Sequence, residues 1–307
     1  MRYPAEGTDM TYYFVAPNEA RRMVLTRRSV LKSAALAAAT TALPTVAGAT
    51  APSNAPADQF HGLRVGVCSY SLRSFPLDKM LADVRRLGVQ YLSLKDVHLP
   101  LTATPALRQQ VRRQAHDLGL TITSCGVIYL KDDPETVRQA LEYVRNLGAN
   151  IAVVGATREQ LPTLDKVIRD FDLKAAIHNH GPNDKRFPSP LQVYDAIQPF
   201  DKRIGVCMDI GHTFRMHEDV VADVKRTKDR LYSMHFKDLD SDRVDAKGVP
   251  VGTGAMPIIA LLKELLTSGY SGEVQLEYEV EPEDPVPGMA ESLGFMRGSL
   301  QTLLWER

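Results

Sequence analysis

A closed parallel (β/α)8 barrel, a TIM barrel, is the fold class this sequence predicts, and three observations lead to it. From His61 onward, strand-like apolar runs alternate strictly with amphipathic helical patterns, the signature of a parallel sheet covered by helices. Eight such units fall within residues 61–307, matching the roughly 250 residues of one barrel. Four successive runs in the second half end in clusters of His, Asp, Glu and Lys, and the carboxyl ends of barrel strands are where active sites form. A doubly wound open sheet is the rival, but it would place a glycine-rich phosphate loop after the first strand, where this chain has CSYSLRSFP.

Taken in order, residues 1–49 read as an N-terminal extension with an export signal. Thr26–Lys32 is TRRSVLK, a small-residue apolar run covers Ser33–Leu43, and Ala47-Gly48-Ala49 has the A-x-A form of a signal-peptidase site. The pair Arg27-Arg28 resembles a twin-arginine signal, although Val30 stands where Phe is usual. The apolar run is too short and too rich in Ala and Thr for a stable membrane span. Met23 is a natural start that would place these arginines near the N-terminus, and Met1 is the alternative. The expectation is export to the periplasm by the twin-arginine route, with no membrane contact after cleavage. That route carries folded proteins, so a metal could be loaded beforehand. Residues 50–60 read as a loose linker and 61–307 as the barrel.

The predicted strands are Leu63–Ser69, Tyr91–Lys95, Thr121–Val127, Ile151–Gly155, Lys174–His178, Ile204–Asp209, Tyr232–Lys237 and Glu273–Glu279. LDKMLADVRRLG, TPALRQQVRRQAHDLG and PETVRQALEYVRNLG follow the first three, each with apolar residues at three-and-four spacing and a closing Gly. Later helices are predicted over Thr157–Asp170, Leu191–Gln198, Val220–Asp229, Met256–Ser268 and Met289–Leu304. Hydrophobic content of 44% against 24% charged residues provides an ample core. The 37 basic and 37 acidic side chains balance, which argues against a nucleic-acid footprint. Cys68, Cys125 and Cys207 lie in separate strand-like runs with no C-x-x-C pair, so they read as buried free thiols.

The chemistry concentrates between Leu173 and Glu279. Strand side chains alternate between faces, so His178 and His180 share one, as do Cys207 and Asp209, His235 and Lys237, and Glu277 and Glu279. One strand-end His or Asp is usually a satisfied structural group. Four strands with matching parity instead read as a metal site, with His178, Asp209, His235 and Glu277 as expected ligands. Two imidazoles and two carboxylates suit one divalent Mn, Zn, Co or Fe ion better than Mg. His180, His212 and Glu279 are reserve ligands or orient the others. Lys95 ends its strand on the inward face and offers a base in the barrel mouth, with a solvated lysine or a partner for Glu279 as the alternative. Lys237 is a similar candidate, unless it simply pairs with Asp238.

Five motifs make the chain resemble the xylose-isomerase-like barrels, which include sugar-phosphate isomerases and epimerases. They are SLKDVHLP at 93–100, IHNHGP at 177–182, MDIGHT at 208–213, MHFKD at 234–238 and LEYE at 276–279, and the resemblance covers everything after His61. Members commonly hold one divalent ion with a Glu, an Asp, a His and a second Glu, and the motifs carry the last three roles to Asp209, His235 and Glu277. The first Glu, usually in an E-N-H string, is His178 in this I-H-N-H string. The family's epimerases trade protons between two metal-bound carboxylates, and only one remains at the corresponding positions. Catalytic candidates are therefore Lys95, His180, Lys237 and Glu279. His212 resembles the family's substrate-facing His, and Arg215 is a candidate for a substrate oxygen.

The resemblance implies proton abstraction next to a carbonyl through a metal-stabilised enediolate, the first step of isomerisation, epimerisation and β-elimination. Phosphosugars are scarce outside the cytoplasm, so the expected substrate is an unphosphorylated keto sugar or a 3-keto-glycoside. Isomerase chemistry and chemistry similar to that of 3-keto-glycoside lyases both stay open. Two other classes compete. One is a metal-free periplasmic sugar-binding protein, which stoichiometric metal would exclude. The other is an apurinic-site endonuclease-like metallohydrolase, which zero net charge opposes. Oligomeric state is open, with a homo-oligomer possible in principle.

Overall fold

The computed structural model describes residues 58–305. The export signal read in residues 1–49, both candidate starts and most of the linker lie outside the described residues. The strands are β1 (Arg64–Cys68), β2 (Tyr91–Leu94), β3 (Thr121–Tyr129), β4 (Ile151–Gly155), β5 (Lys174–His178), β6 (Ile204–Asp209), β7 (Leu231–Phe236), β8 (Asp238–Leu239), β9 (Gly248–Val249) and β10 (Glu273–Leu276). All but β8 and β9 pair in parallel, and β1 joins β10 to close the predicted eight-stranded barrel. β8 and β9 form a separate antiparallel ribbon above its mouth.

The helices are α1 (Leu77–Arg86), α2 (Pro105–Asp117), α3 (Pro134–Asn146), α4 (Leu161–Ile168), α5 (Pro190–Ile197), α6 (Ile210–Phe214), α7 (Val220–Thr227), α8 (Ile258–Thr267) and α9 (Val286–Trp305). Their ends follow from local chemistry. Thr104, Asp133 and Ser189 cap α2, α3 and α5 ahead of an N-terminal proline. Gly88, Gly119 and Gly148 adopt positive φ one residue past the C-caps of α1, α2 and α3, a conformation that side-chain-bearing residues resist. One apolar layer packs between barrel and helices, and a smaller cluster of Val127, Ile151, Val153, Ala176 and Cys207 fills the lumen.

Departures from the predicted elements have physical reasons. The helix expected over Thr157–Asp170 is a 3-10 turn (Arg158–Gln160) followed by α4, because Pro162 is tolerated only within a helix's first turn. β3 continues two residues past Val127 and carries Tyr129 into the mouth, whereas β10 stops at Leu276 and releases Glu277–Glu279 from the ladder. At the end of the linker, Phe60 is buried beneath the Arg297 guanidinium, and Asp58 accepts from the Phe60 N–H at 3.0 Å. The ribbon and α6 have no counterpart among the predicted elements, being too short to leave a periodic pattern. Among the described residues no helix is long and apolar enough to cross a membrane.

Candidate metal centre

Register sets the height of each site residue. His178 on β5 pairs with Cys207 on β6, and Asp209 on β6 pairs with His235 on β7. Glu277 lies one residue beyond the Leu276–Phe236 pair between β10 and β7. The ring predicted from strand parity therefore forms: ligand-capable atoms of His178, Asp209, His235 and Glu277 all lie within 4.8 Å of one another, and all four residues are buried. His178 Nε2 is 3.0 Å from His235 Nδ1 and 3.5 Å from Asp209 Oδ2. Glu277 Oε2 is 3.1 Å from His235 Nδ1.

Asp209 Oδ2 is buried with no well-directed hydrogen bond, although Lys237 Nζ lies 2.9 Å away. A buried carboxylate oxygen without a hydrogen bond, beside imidazole nitrogens turned to the same point, fits a divalent cation, and this cluster could hold one. The other oxygen, Oδ1, accepts the His212 N–H at 2.8 Å, and the Asp209 backbone N–H donates to Asn179 Oδ1 at 2.9 Å, so one bond holds the carboxylate and the other its backbone. Glu277 Oε1 accepts from the buried thiol of Cys68 at 3.4 Å, and burial pushes that thiol up to about 12, so it remains a donor. Cys207 lies beneath the ring, close enough to group with His178 and His235.

Burial, reinforced by His235, pushes His178 down to about 3, leaving a neutral imidazole as ligation requires. Burial works against ionisation of Asp209 and Glu277 as well, but it is outweighed. His212 and Lys237 hold Asp209 well below its ordinary range, and His235 and Lys237 do the same for Glu277. For His235, burial is outweighed by the Glu277 carboxylate, which raises the imidazolium.

Lys237 Nζ donates to Glu277 Oε2 and Glu279 Oε2, each at 2.8 Å. Its alternative partner, Asp238, is not used. That carboxylate turns away and accepts from the backbone N–H groups of Leu239, Gly252, Gly254 and Met256 at 2.9 to 3.2 Å. Burial would weaken the Lys237 ammonium, yet Asp209, Glu277 and Glu279 together raise it well above the ordinary lysine value.

The other predicted residues line the mouth. A pocket of about 350 Å³ is bounded by Tyr70, Lys95, Tyr129, His180, His212 and Glu279, with His178 and Glu277 at its floor. Lys95 Nζ donates to the Val127 carbonyl at 2.7 Å and pairs with Asp96 at 3.0 Å, so it is neither free in solvent nor bonded to Glu279. His180 Nε2 lies 3.0 Å from the Tyr129 hydroxyl, and His180 Nδ1 lies 3.4 Å from Asp184. Arg215 Nη1 is 3.4 Å from His212 Nδ1, and Nη2 donates to the Ala246 carbonyl at 2.7 Å. Arg215 borders a neighbouring cavity with Lys237 and Glu279 rather than the pocket itself. Tyr70, Tyr129 and Cys68 were absent from the predicted site; only Cys68, next to the ladder partner of β10, had a readable signal.

The chain belongs to the xylose isomerase-like TIM barrel family, whose model matches residues 81–299. A search of curated proteins finds no match. Solved structures with the same fold include an uncharacterised protein from Parabacteroides distasonis, 23% identical, TM-score 0.61, covering 76% of this chain and 98% of that one. The E. coli 3-keto-D-glucoside 4-epimerase YcjR is 15% identical with TM-score 0.64, covering 77% and 99%. A D-tagatose 3-epimerase-like protein is 15% identical with TM-score 0.64, covering 80% and 99%.

Proposed function

We propose that the protein is a divalent-metal-dependent enzyme that removes the proton next to the carbonyl of an unphosphorylated keto sugar, in particular a 3-keto-glycoside. The outcome is isomerisation or epimerisation, or elimination of the aglycone. The observation that carries this reading is the ring of His178, Asp209, His235 and Glu277, two of whose members, His178 and Glu277, line a pocket at the barrel mouth. An ion held there supplies Lewis acidity toward a carbonyl oxygen and its neighbouring hydroxyl.

The chain's own groups divide the remaining work. Glu279, 44% exposed, outside the ring and paired with Lys237 through Oε2, is the pocket carboxylate assigned to take a proton from carbon. Lys95, at the end of β2 in the same pocket, is the second proton-handling group. Lys237 stays an ammonium and acts as donor and as electrostatic partner of Glu279. In an isomerisation the proton returns to the adjacent carbon. In an elimination the departing oxygen takes a proton from His180, whose contact with Tyr129 leads to the surface. His212 orients a substrate hydroxyl, and Arg215, outside the pocket, positions His212 through Nη1 at 3.4 Å. Two neighbours, named for a 3-keto-D-glucoside 4-epimerase and a D-tagatose 3-epimerase-like protein, support sugar chemistry of this kind. The twin-arginine-like signal and the missing phosphate loop support a periplasmic, unphosphorylated substrate.

The test is elemental analysis of the purified protein together with His178→Ala and Asp209→Ala, followed by incubation with 3-keto-glycosides in deuterated water. About one Mn, Zn, Co or Fe per chain is expected, lost in both variants, with deuterium entering the sugar. Absence of metal, or its retention in both variants, would sink the reading and favour a sugar-binding protein.

A further inference from the structure

The catalytic pocket does not end at Tyr129. On the far side of that residue lies a second cavity of about 540 Å³, larger than the pocket of about 350 Å³, and Tyr129 borders both. Its floor is Leu101, Ile128 and Leu130, and Thr102, Thr136 and Gln139 stand at its rim between α2 and α3. Three charged residues complete the lining, Arg108, Lys131 and Glu142: Arg108 donates to the Leu101 carbonyl at 2.8 Å and stacks over Tyr143, and Glu142 lies 3.6 Å from Arg145.

Tyr129 is built as a platform at the junction. Half its surface is exposed, a rare placement for a large aromatic in this chain. Its ring lies against Gly155, where a Cβ would come within 2.5 Å of a ring carbon, so the absence of a side chain on β4 creates the seat. The hydroxyl is tied to His180, and the Arg186 guanidinium covers the ring at 4.9 Å. With its faces packed in this way, the Tyr129 ring presents a fixed apolar edge where the two cavities meet. An apolar floor with a rim of hydroxyl and amide groups matches a pyranose, which is apolar on its faces and polar at its edges.

We infer that the cavity beyond Tyr129 is a second subsite that receives the non-reacting pyranose ring of a 3-keto disaccharide while the oxidised ring lies in the catalytic pocket. The inference rests on the function proposed above and narrows it: the substrate is a glycoside with a sugar leaving group. Binding energy from the remote ring is then available to the reacting one.

The experiment compares kcat/KM for a 3-keto disaccharide and the matching methyl 3-keto-glycoside, in the metal-loaded wild type and in Gln139→Trp, which fills the cavity without touching the pocket. The expected result is a preference of about tenfold or more for the disaccharide, abolished in Gln139→Trp while the methyl glycoside is turned over unchanged. Equal kcat/KM in the wild type, or a preference that survives the variant, would overturn the subsite. A 3-keto aryl glycoside outperforming the disaccharide would overturn the assignment of its occupant. If neither keto sugar reacts, the proposed function fails by itself. The subsite is then decided by calorimetry with the unoxidised disaccharide: binding lost in Gln139→Trp sustains it, and no binding to the wild type removes it.

Discussion

Replacing Lys237 by Met should make the stability of the fold depend on a divalent cation. In the structure the ammonium lies 2.9 Å from Asp209 and 2.8 Å from both Glu277 and Glu279, with Asp209 and Glu277 buried and Glu279 partly in solvent. Methionine matches the lysine stem in length and leaves two buried carboxylates without their cation. Breaking a buried ion pair from one side costs about 3–5 kcal/mol, and the exposed Glu279 adds little. Urea unfolding in EDTA should therefore show Lys237→Met less stable by that amount at an unchanged slope. Removing a positive charge next to two ligand oxygens should in turn raise affinity for Mn²⁺ or Zn²⁺ by about tenfold, or ~1.4 kcal/mol. Saturating metal should recover most of the lost stability. A variant as stable as wild type in EDTA, or one with weakened metal binding, would refute the reasoning that the ammonium and the cation share these carboxylates.

Two further perturbations test features away from the ring of His178, Asp209, His235 and Glu277. Burial, then the neighbouring Glu218 and Asp219, raise the Asp223 carboxyl to about 7, and its Oδ2 is buried without a partner. A folded-state value above the unfolded one, about 3.9, means the folded chain holds this proton more tightly, so stability falls as pH rises from about 4 through 7. Asp223→Asn should thus be more stable than wild type by about 1–3 kcal/mol at pH 8, with the gain vanishing toward pH 4, as read by urea unfolding at both pH values; a pH-independent difference would contradict this. Asp238→Ala strands four backbone donors around residues 239–256 and should cost about 3–5 kcal/mol and open that loop to limited proteolysis. Asp238→Asn should not rescue it, since its NH2 would face N–H groups; wild-type protease resistance in the Asn variant would count against the role.

The barrel and its ion ring were legible because one rule, the alternation of strand side chains, applied four times to strands whose ends carried unusual residues. His178, Asp209, His235 and Glu277 each followed from it. The same rule also shows why Lys237 and Asp238 do not pair: neighbours in sequence at a strand end point to opposite faces, one into the ring and the other toward the loop amides. Tyr129 was not legible. Its role depends on β3 running two residues past the apolar run and on a glycine from β4 lying beneath it, a long-range coincidence that no local pattern records. The β8–β9 ribbon escaped for a different reason, since two-residue strands are held by a turn and a buried carboxylate rather than by their own propensity.

The seat of Tyr129 on Gly155 has a consequence for how the barrel can diversify. Every member of the ion ring comes from the chain after Lys174, whereas Tyr70, Lys95, Tyr129 and the cavity beyond it come from the chain before Thr157. The ligand-type cluster and the outer cavity thus come from two consecutive stretches of one polypeptide, both of which line the mouth. Under the proposed function, drift in the earlier stretch would change which glycoside is admitted without disturbing the later cluster, so relatives sharing the later motifs are expected to differ first in the length of leaving group they accept.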